Sequence, residues 1–92
     1  MQSIRDTASA AVRDLLASQP TTAAKVAFAW QVAAGPAMAR ASRASWADGT
    51  LRVVPRDAAW RREIQRARSM LSARLSQLLG PDVIRSIVVD ED

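Results

Sequence analysis

The sequence contains neither cysteine nor histidine. Without cysteine there can be no disulfides and no thiolate metal sites, a composition that fits a reducing cytosol. Without histidine the chain lacks the commonest general base and the commonest metal ligand. No apolar run reaches the roughly 18 residues that a membrane span needs. The N-terminal "MQSIRDTASAAVRDLL" also carries acids where a signal peptide requires an uninterrupted apolar stretch. The expectation is a cytoplasmic protein with no cofactor, no metal and no membrane contact. Aromatic residues make up only 4% of the chain, so sequence readout by stacking on bases is not expected. All three glycines fall at turn or helix-cap positions, which leaves none for a phosphate-cradling loop.

What is present is a chain of 92 residues, enough for one domain spanning residues 1–92. A chain of this size buries about 60–65% of its unfolded surface, so it holds one modest core. Hydrophobic residues are 49%, but many of them are alanine. The net charge is +4, and twelve of the thirteen basic residues are arginine. Nine of these lie between Arg40 and Arg74, against only Asp48, Asp57 and Glu63 in the same stretch, while the C-terminal "DED" pulls the other way. A local excess of arginine suits phosphate-bearing partners, because the guanidinium fork matches phosphate oxygens bidentately. The same excess arises where a chain writes arginine for lysine on a merely solvated face. Placement has to separate the two readings.

Residues 3–17 read as a first helix, with Ile4, Ala8, Ala11, Val12 and Leu15 at helical spacing and Ser3 as the N-cap. Pro20 stops it, and Thr21 or Thr22 caps a second helix over residues 22–34 with Val26, Trp30 and Ala33 on one face. Gly35-Pro36 punctuates that helix, and "PAMARAS" continues as a short helical turn at a new angle. Asp48-Gly49 is a favoured pair for a two-residue type I′ hairpin, joining strands 43–47 and 50–54. That register pairs Trp46 with Leu51, Ser45 with Arg52 and Ala44 with Val53. Period two then puts Ala44, Trp46, Leu51 and Val53 on a core face and Arg43, Ser45, Thr50 and Arg52 on the opposite, basic face.

Pro55 ends the second strand, and Asp57 caps a long helix over 58–79 whose stripe is Trp60, Ile64, Ala67, Leu71, Leu75 and Leu78. Arg62 and Arg66 point away from the stripe, while Arg61 and Arg68 flank it. Gly80-Pro81 stops the helix, and the β-branched run 83–89 reads as a last strand. Its buried side is left open, because Arg85 shares a side with Val83, Ile87 and Val89. The order helix, helix, strand, strand, helix, strand makes an α+β two-layer sandwich, with a three-stranded sheet packed on helices.

Catalysis finds no machinery here. Asp57 is explained as a cap, Asp48 as a turn residue and Glu63 as a surface charge, and no serine stands near a base in a recognisable pattern. The chain is not expected to be an enzyme. Trp30 and Trp60 are expected to anchor the core, and so is Trp46, although a hairpin end left partly open would offer a base or a partner's pocket a stacking surface. The basic residues survive the filter. Arg40, Arg43, Arg52, Arg56, Arg61, Arg62, Arg66 and Arg68 are the candidate nucleic-acid-binding set, and Arg43, Arg52, Arg56, Arg61, Arg62 and Arg66 of it are expected to form one continuous patch. Such a patch would grip the phosphate backbone with strong salt dependence and little sequence preference.

The ordered set Trp30, Gly35, Asp48-Gly49-Thr50-Leu51, Val53, Ala59-Trp60, Ile64, Leu75 and Leu79-Gly80 resembles the DciA family of bacterial proteins. That pattern is a tryptophan helix ending in glycine and small residues, a "dGtLtV" strand, a tryptophan-bearing helix start, a leucine and a glycine closing that helix, and a last strand. The resemblance covers roughly residues 4–89. It implies a KH-like fold and a DNA-binding, nucleoid-associated accessory protein that assists loading or operation of the replicative helicase DnaB. The partners it implies are DNA, single- or double-stranded without sequence preference, and the helicase. Two departures stand out. The nucleotide-clamping GxxG loop of true KH domains is missing, and the long extra segment that many relatives carry is not expected here. The alternative is a protein adaptor whose basic face docks an acidic partner, with no nucleic acid involved.

Overall fold

The computed structural model describes residues 20–90. The expected first helix over 3–17 lies outside the described residues. Helix α1 spans Ala23–Ala34, and the Thr22 side chain caps it by accepting the Lys25 N–H at 3.1 Å. The chain breaks at Gly35 and turns into the five-residue helix α2, Pro36–Arg40. The hairpin follows as β1 (Ser42–Ala47) and β2 (Thr50–Pro55). Asp48 and Gly49 have φ of 52° and 79°, the positive pair that a type I′ turn demands. Every predicted cross-strand pair is present, Trp46 with Leu51 among them, and the ladder extends to Ser42 opposite Pro55.

Asp57 caps the next helix as expected, its carboxylate accepting the Trp60 N–H at 2.9 Å. The predicted single helix over 58–79 is two helices, however. Helix α3 runs Ala58–Arg66 and α4 runs Arg68–Leu79, separated at Ala67 with φ −86° and ψ 0°. The two parts serve different neighbours: α3 lies against β2 and β3, whereas α4 packs on α1. The apolar stripe carries on across the joint, and helical hydrogen bonds reach Ala67 from both sides, its N–H donating to Glu63 and its carbonyl accepting from Leu71. Ile64, Leu71, Leu75 and Leu78 are all buried.

The last strand, β3, is shorter than predicted and spans Ser86–Val89. It runs parallel to β2, giving a mixed sheet in the order β1-β2-β3. A parallel neighbour requires a crossover rather than a tight turn, and α3 with α4 supplies it. Because the strand begins after Arg85, that arginine never competes for the core: Ile87 and Val89 face inward, and Ser86 and Val88 face out. One layer of helices covers one side of the sheet, the α+β two-layer arrangement that the sequence predicts.

The core joins Val26, Ala29, Trp30 and Ala33 of α1 to Leu51, Val53 and Ile87 of the sheet and to the α3–α4 stripe. Trp30 is buried, and its indole N–H donates to the Ser42 hydroxyl at 3.1 Å, which in turn donates to the Met38 carbonyl at 2.7 Å. Three elements meet at that chain of bonds. Trp46 packs against the core, and its indole N–H donates to the Val83 carbonyl at 3.1 Å. It thereby ties the hairpin to the segment that leads into β3. Trp60 departs from expectation. It is only half-buried and stands outside the core cluster, because it sits on the first turn of α3, beyond the reach of the α1–α4 packing.

Candidate nucleic-acid interface

The outer face of the sheet follows directly from the hairpin register. Leu51 and Val53 point into the core, so Arg52 and Val54 must point away from it. Row by row, this face carries Ser45, Arg52 and Val88, and beside them Arg43 and Val54. All five are exposed. Arg52 sits on the central strand, with its guanidinium 3.6 Å from the Asp90 carboxylate. At the upper end of the face, the Thr50 and Ser86 hydroxyls share a hydrogen bond of 3.2 Å.

Arg40 and Arg56 adjoin this face at the open end of the hairpin, where the Arg56 N–H donates to the Ala41 carbonyl at 2.7 Å. The Arg56 guanidinium lies 3.8 Å from the Asp57 carboxylate. Arg43 and Arg52 therefore share the outer face, and the path of the chain places Arg40 and Arg56 at its open end.

The rest of the predicted set does not join it. Arg61, Arg62 and Arg66 ride on α3, which packs on the inner side of the sheet, so they belong to the helical layer. The single continuous patch expected from the sequence is divided by the sheet itself. Arg66 pairs with Glu63 one turn earlier at 3.3 Å. Arg61 is half-buried and Arg62 is exposed. Arg68 stands apart from both groups, its guanidinium donating to the Ile87 carbonyl across the gap between α4 and β3.

The arginine of each ion pair is exposed, and its acid is exposed or, for Asp90, half-buried, so the pairs hold their partners weakly. Among the described residues Arg40, Arg43, Arg61 and Arg62 make no salt bridge at all. Such a surface can neutralise phosphates without first dismantling a buried network. Two further arginines, Arg74 and Arg85, lay outside the candidate set. Arg74 donates to the Ala33 carbonyl at 3.0 Å and so satisfies the end of α1, a structural role. The Arg85 guanidinium lies over Gly49 at the hairpin turn. Its placement depends on a contact across 36 positions of sequence, which no local periodicity signals.

Among the described residues no three Asp, Glu, His or Cys side chains come together to hold a metal, and no helix is long and apolar enough to cross a membrane.

The family model described as "Dna[CI] antecedent, DciA" matches residues 3–89, nearly the whole chain. The chain belongs to the DciA family. Searches of curated proteins and of solved structures return no match. Membership in the DciA family ties the chain to bacterial DNA replication and to the DnaB helicase, in a family of helicase accessory proteins. The matched span includes the residues that build the DciA core, Trp30, Leu51, Ile64 and Leu75, and those that carry the two arginine groups.

Proposed function

We propose that this DciA-family domain is a DNA-binding accessory of the replicative helicase, acting at the nucleoid during helicase loading or operation. It holds the nucleic-acid backbone through exposed arginines. The observation that carries this reading is the arginine set of a DciA chain, arranged on two exposed surfaces and tied to acids only by loose surface pairs. Arg40, Arg43, Arg52 and Arg56 form the sheet-side group, and Arg61, Arg62 and Arg66 the helix-side group. Guanidinium groups suit phosphate oxygens, and a domain with two basic surfaces can touch two strands or two turns of one duplex. The KH-like assignment of the fold rests on the order helix, helix, strand, strand, helix, helix, strand and on the mixed three-stranded sheet. With no GxxG loop to clamp nucleotides, the contacts must come from arginine side chains.

The adaptor alternative gives the same arginines an acidic protein partner. The two readings separate in a titration of random-sequence DNA, single- and double-stranded, at several salt concentrations. Release of counterions from DNA lowers the logarithm of affinity by about 0.7–0.9 per phosphate contact for each decade of salt. A steep slope with little sequence preference is expected. Capture of the helicase without measurable DNA binding would instead make the adaptor reading the better one.

A further inference from the structure

We propose that the cleft between α4 and the free edge of β3 holds a phosphate group of the bound nucleic-acid backbone, a proposal that rests on the DNA-binding reading above. The cleft is an open surface depression of about 450 Å³. Arg68 and Arg85 line it together with the hydroxyl-bearing Ser69, Ser72 and Ser86 and with Ile87, and no lining residue is acidic. Two arginines line a cleft that holds no carboxylate, so their positive charge is not offset there. A bound anion would offset it and gain charge-assisted hydrogen bonds.

The backbone contributes as well. The Ser86 N–H donates to the Gly49 carbonyl at 3.3 Å and the Asp90 N–H to the Val53 carbonyl at 2.8 Å, so these residues turn their amides toward β2. Alternation along the strand then turns the N–H and C=O of Ile87 to the free edge. Arg68 already holds that carbonyl. This bond fixes the guanidinium at the mouth of the cleft, and its other N–H groups are left for an oxyanion, since the fork carries five. Arg85 is fixed from the opposite side. Its backbone N–H donates to the Gly49 carbonyl at 2.7 Å, and its guanidinium lies beside Gly49, next to the cleft that Arg85 lines. An anion in the cleft would therefore meet the held Arg68 guanidinium, a backbone N–H and serine hydroxyls, with the charge of Arg85 close by, a donor set that phosphate recognition uses.

The test uses the full chain and two variants. Arg85→Ala removes one of the two cations that line the cleft, and Ser72→Asp places a carboxylate there from an exposed helix position. Thermal melting confirms that each is folded, and either one that folds is sufficient for the test. Fluorescence anisotropy with a labelled random-sequence oligonucleotide should show affinity lowered about five- to tenfold near 0.1 M salt and a salt slope about one unit shallower for Arg85→Ala. Titration of the wild type with inorganic phosphate, followed by amide NMR, should shift the Ile87 and Ser86 resonances. If phosphate shifts those amides but the variants bind DNA as the wild type does, the cleft takes a free anion, and its assignment to the DNA backbone is overturned. Unchanged DNA affinity with unmoved amides overturns the site and leaves the DNA-binding reading standing. A wild type that binds no DNA overturns that reading first, and this proposal with it.

Discussion

The two faces of the three-stranded sheet share a backbone and differ in everything else. Inward, Ala44, Trp46, Leu51, Val53, Ile87 and Val89 meet the helices and form the sheet's share of the core. Outward, the alternating positions carry Arg43, Ser45, Arg52, Val54, Ser86 and Val88, and among the described residues nothing packs on them. Val54 and Val88 are 43% and 39% exposed, whereas Leu51 and Val53 between them are fully buried. A slip of one residue in the hairpin would exchange the two faces, driving Arg52 into the core and Leu51 into water. The Asp48-Gly49 turn prevents that slip. Stability is thus concentrated on one face, and the other can vary its chemistry at little cost to the fold.

The sharpest way to break this division is to empty the inner face. Leu51 is fully buried on the central strand, so Leu51→Ala should cost about 2–5 kcal/mol, the lost transfer energy plus the cavity left behind. Small domains have total stabilities on the order of 5–15 kcal/mol, so this variant should be close to unfolding in mild urea. Trp60→Ala should cost less, about 1–2 kcal/mol, because only part of that side chain leaves water. Chemical denaturation of both variants checks the ranking. A Trp60 variant weaker than the Leu51 variant would restore Trp60 to the core.

The turn that sets the register comes next. Gly49 has φ of 79°, and a Cβ added there would come within 2.5 Å of the Arg85 Nε. Gly49→Val should destabilise by about 1–3 kcal/mol, because a β-branched residue is strained at positive φ. Gly49→Asn should be milder. Asparagine tolerates that conformation, and the clashing group is the mobile end of an arginine side chain. Equal melting midpoints for the two variants would show that crowding by Arg85, and not the backbone, sets the requirement for glycine.

Much of this architecture is legible in the sequence, and the limits have physical causes. The Asp48-Gly49 pair and strict alternation dictate the hairpin register and both of its faces, since turn chemistry and pleat are local properties. The caps Thr22 and Asp57 are likewise local. The break at Ala67 is not. Alanine favours helix and the stripe runs through it without a gap, so nothing local marks the joint between the part that packs on the sheet and the part that packs on α1. Burial of Trp60 depends on how far the core extends, which periodicity along α3 cannot report. The arginines show the same limit. Period alone assigns Arg43, Arg52, Arg62 and Arg66 to exposed positions, and all four are exposed. Which arginines become neighbours depends on the path of the chain through space, so a set that reads as one patch is two groups on opposite layers, with Arg68 reaching a third place beside Arg85.

The smallest effect on stability should coincide with a large effect on binding, and it is sought on the outer face. Arg43 makes no salt bridge among the described residues, and the exposed Arg52 holds only a long contact with the half-buried Asp90 at 3.6 Å. Exposed pairs of this kind contribute about 0–1 kcal/mol, and surface substitutions away from caps and turns shift stability by about 0.5 kcal/mol or less. The double variant Arg43→Ala with Arg52→Ala should therefore melt within a few degrees of the wild type. Alanine at both sites removes two adjacent cations from the sheet-side group. If both touch phosphates, the salt slope of DNA binding should fall by about two units, and affinity should drop to a similar degree for every sequence tested. The same substitution on the helix side, Arg62→Ala with Arg66→Ala, measures the second group by the same slope. Loss on both sides means that DNA wraps the domain, and loss on one side alone identifies the face it lies on. A sheet-side variant that keeps both its melting temperature and its salt slope would leave the outer face with no part in DNA binding, and the open sheet would then be the surface to search for the helicase.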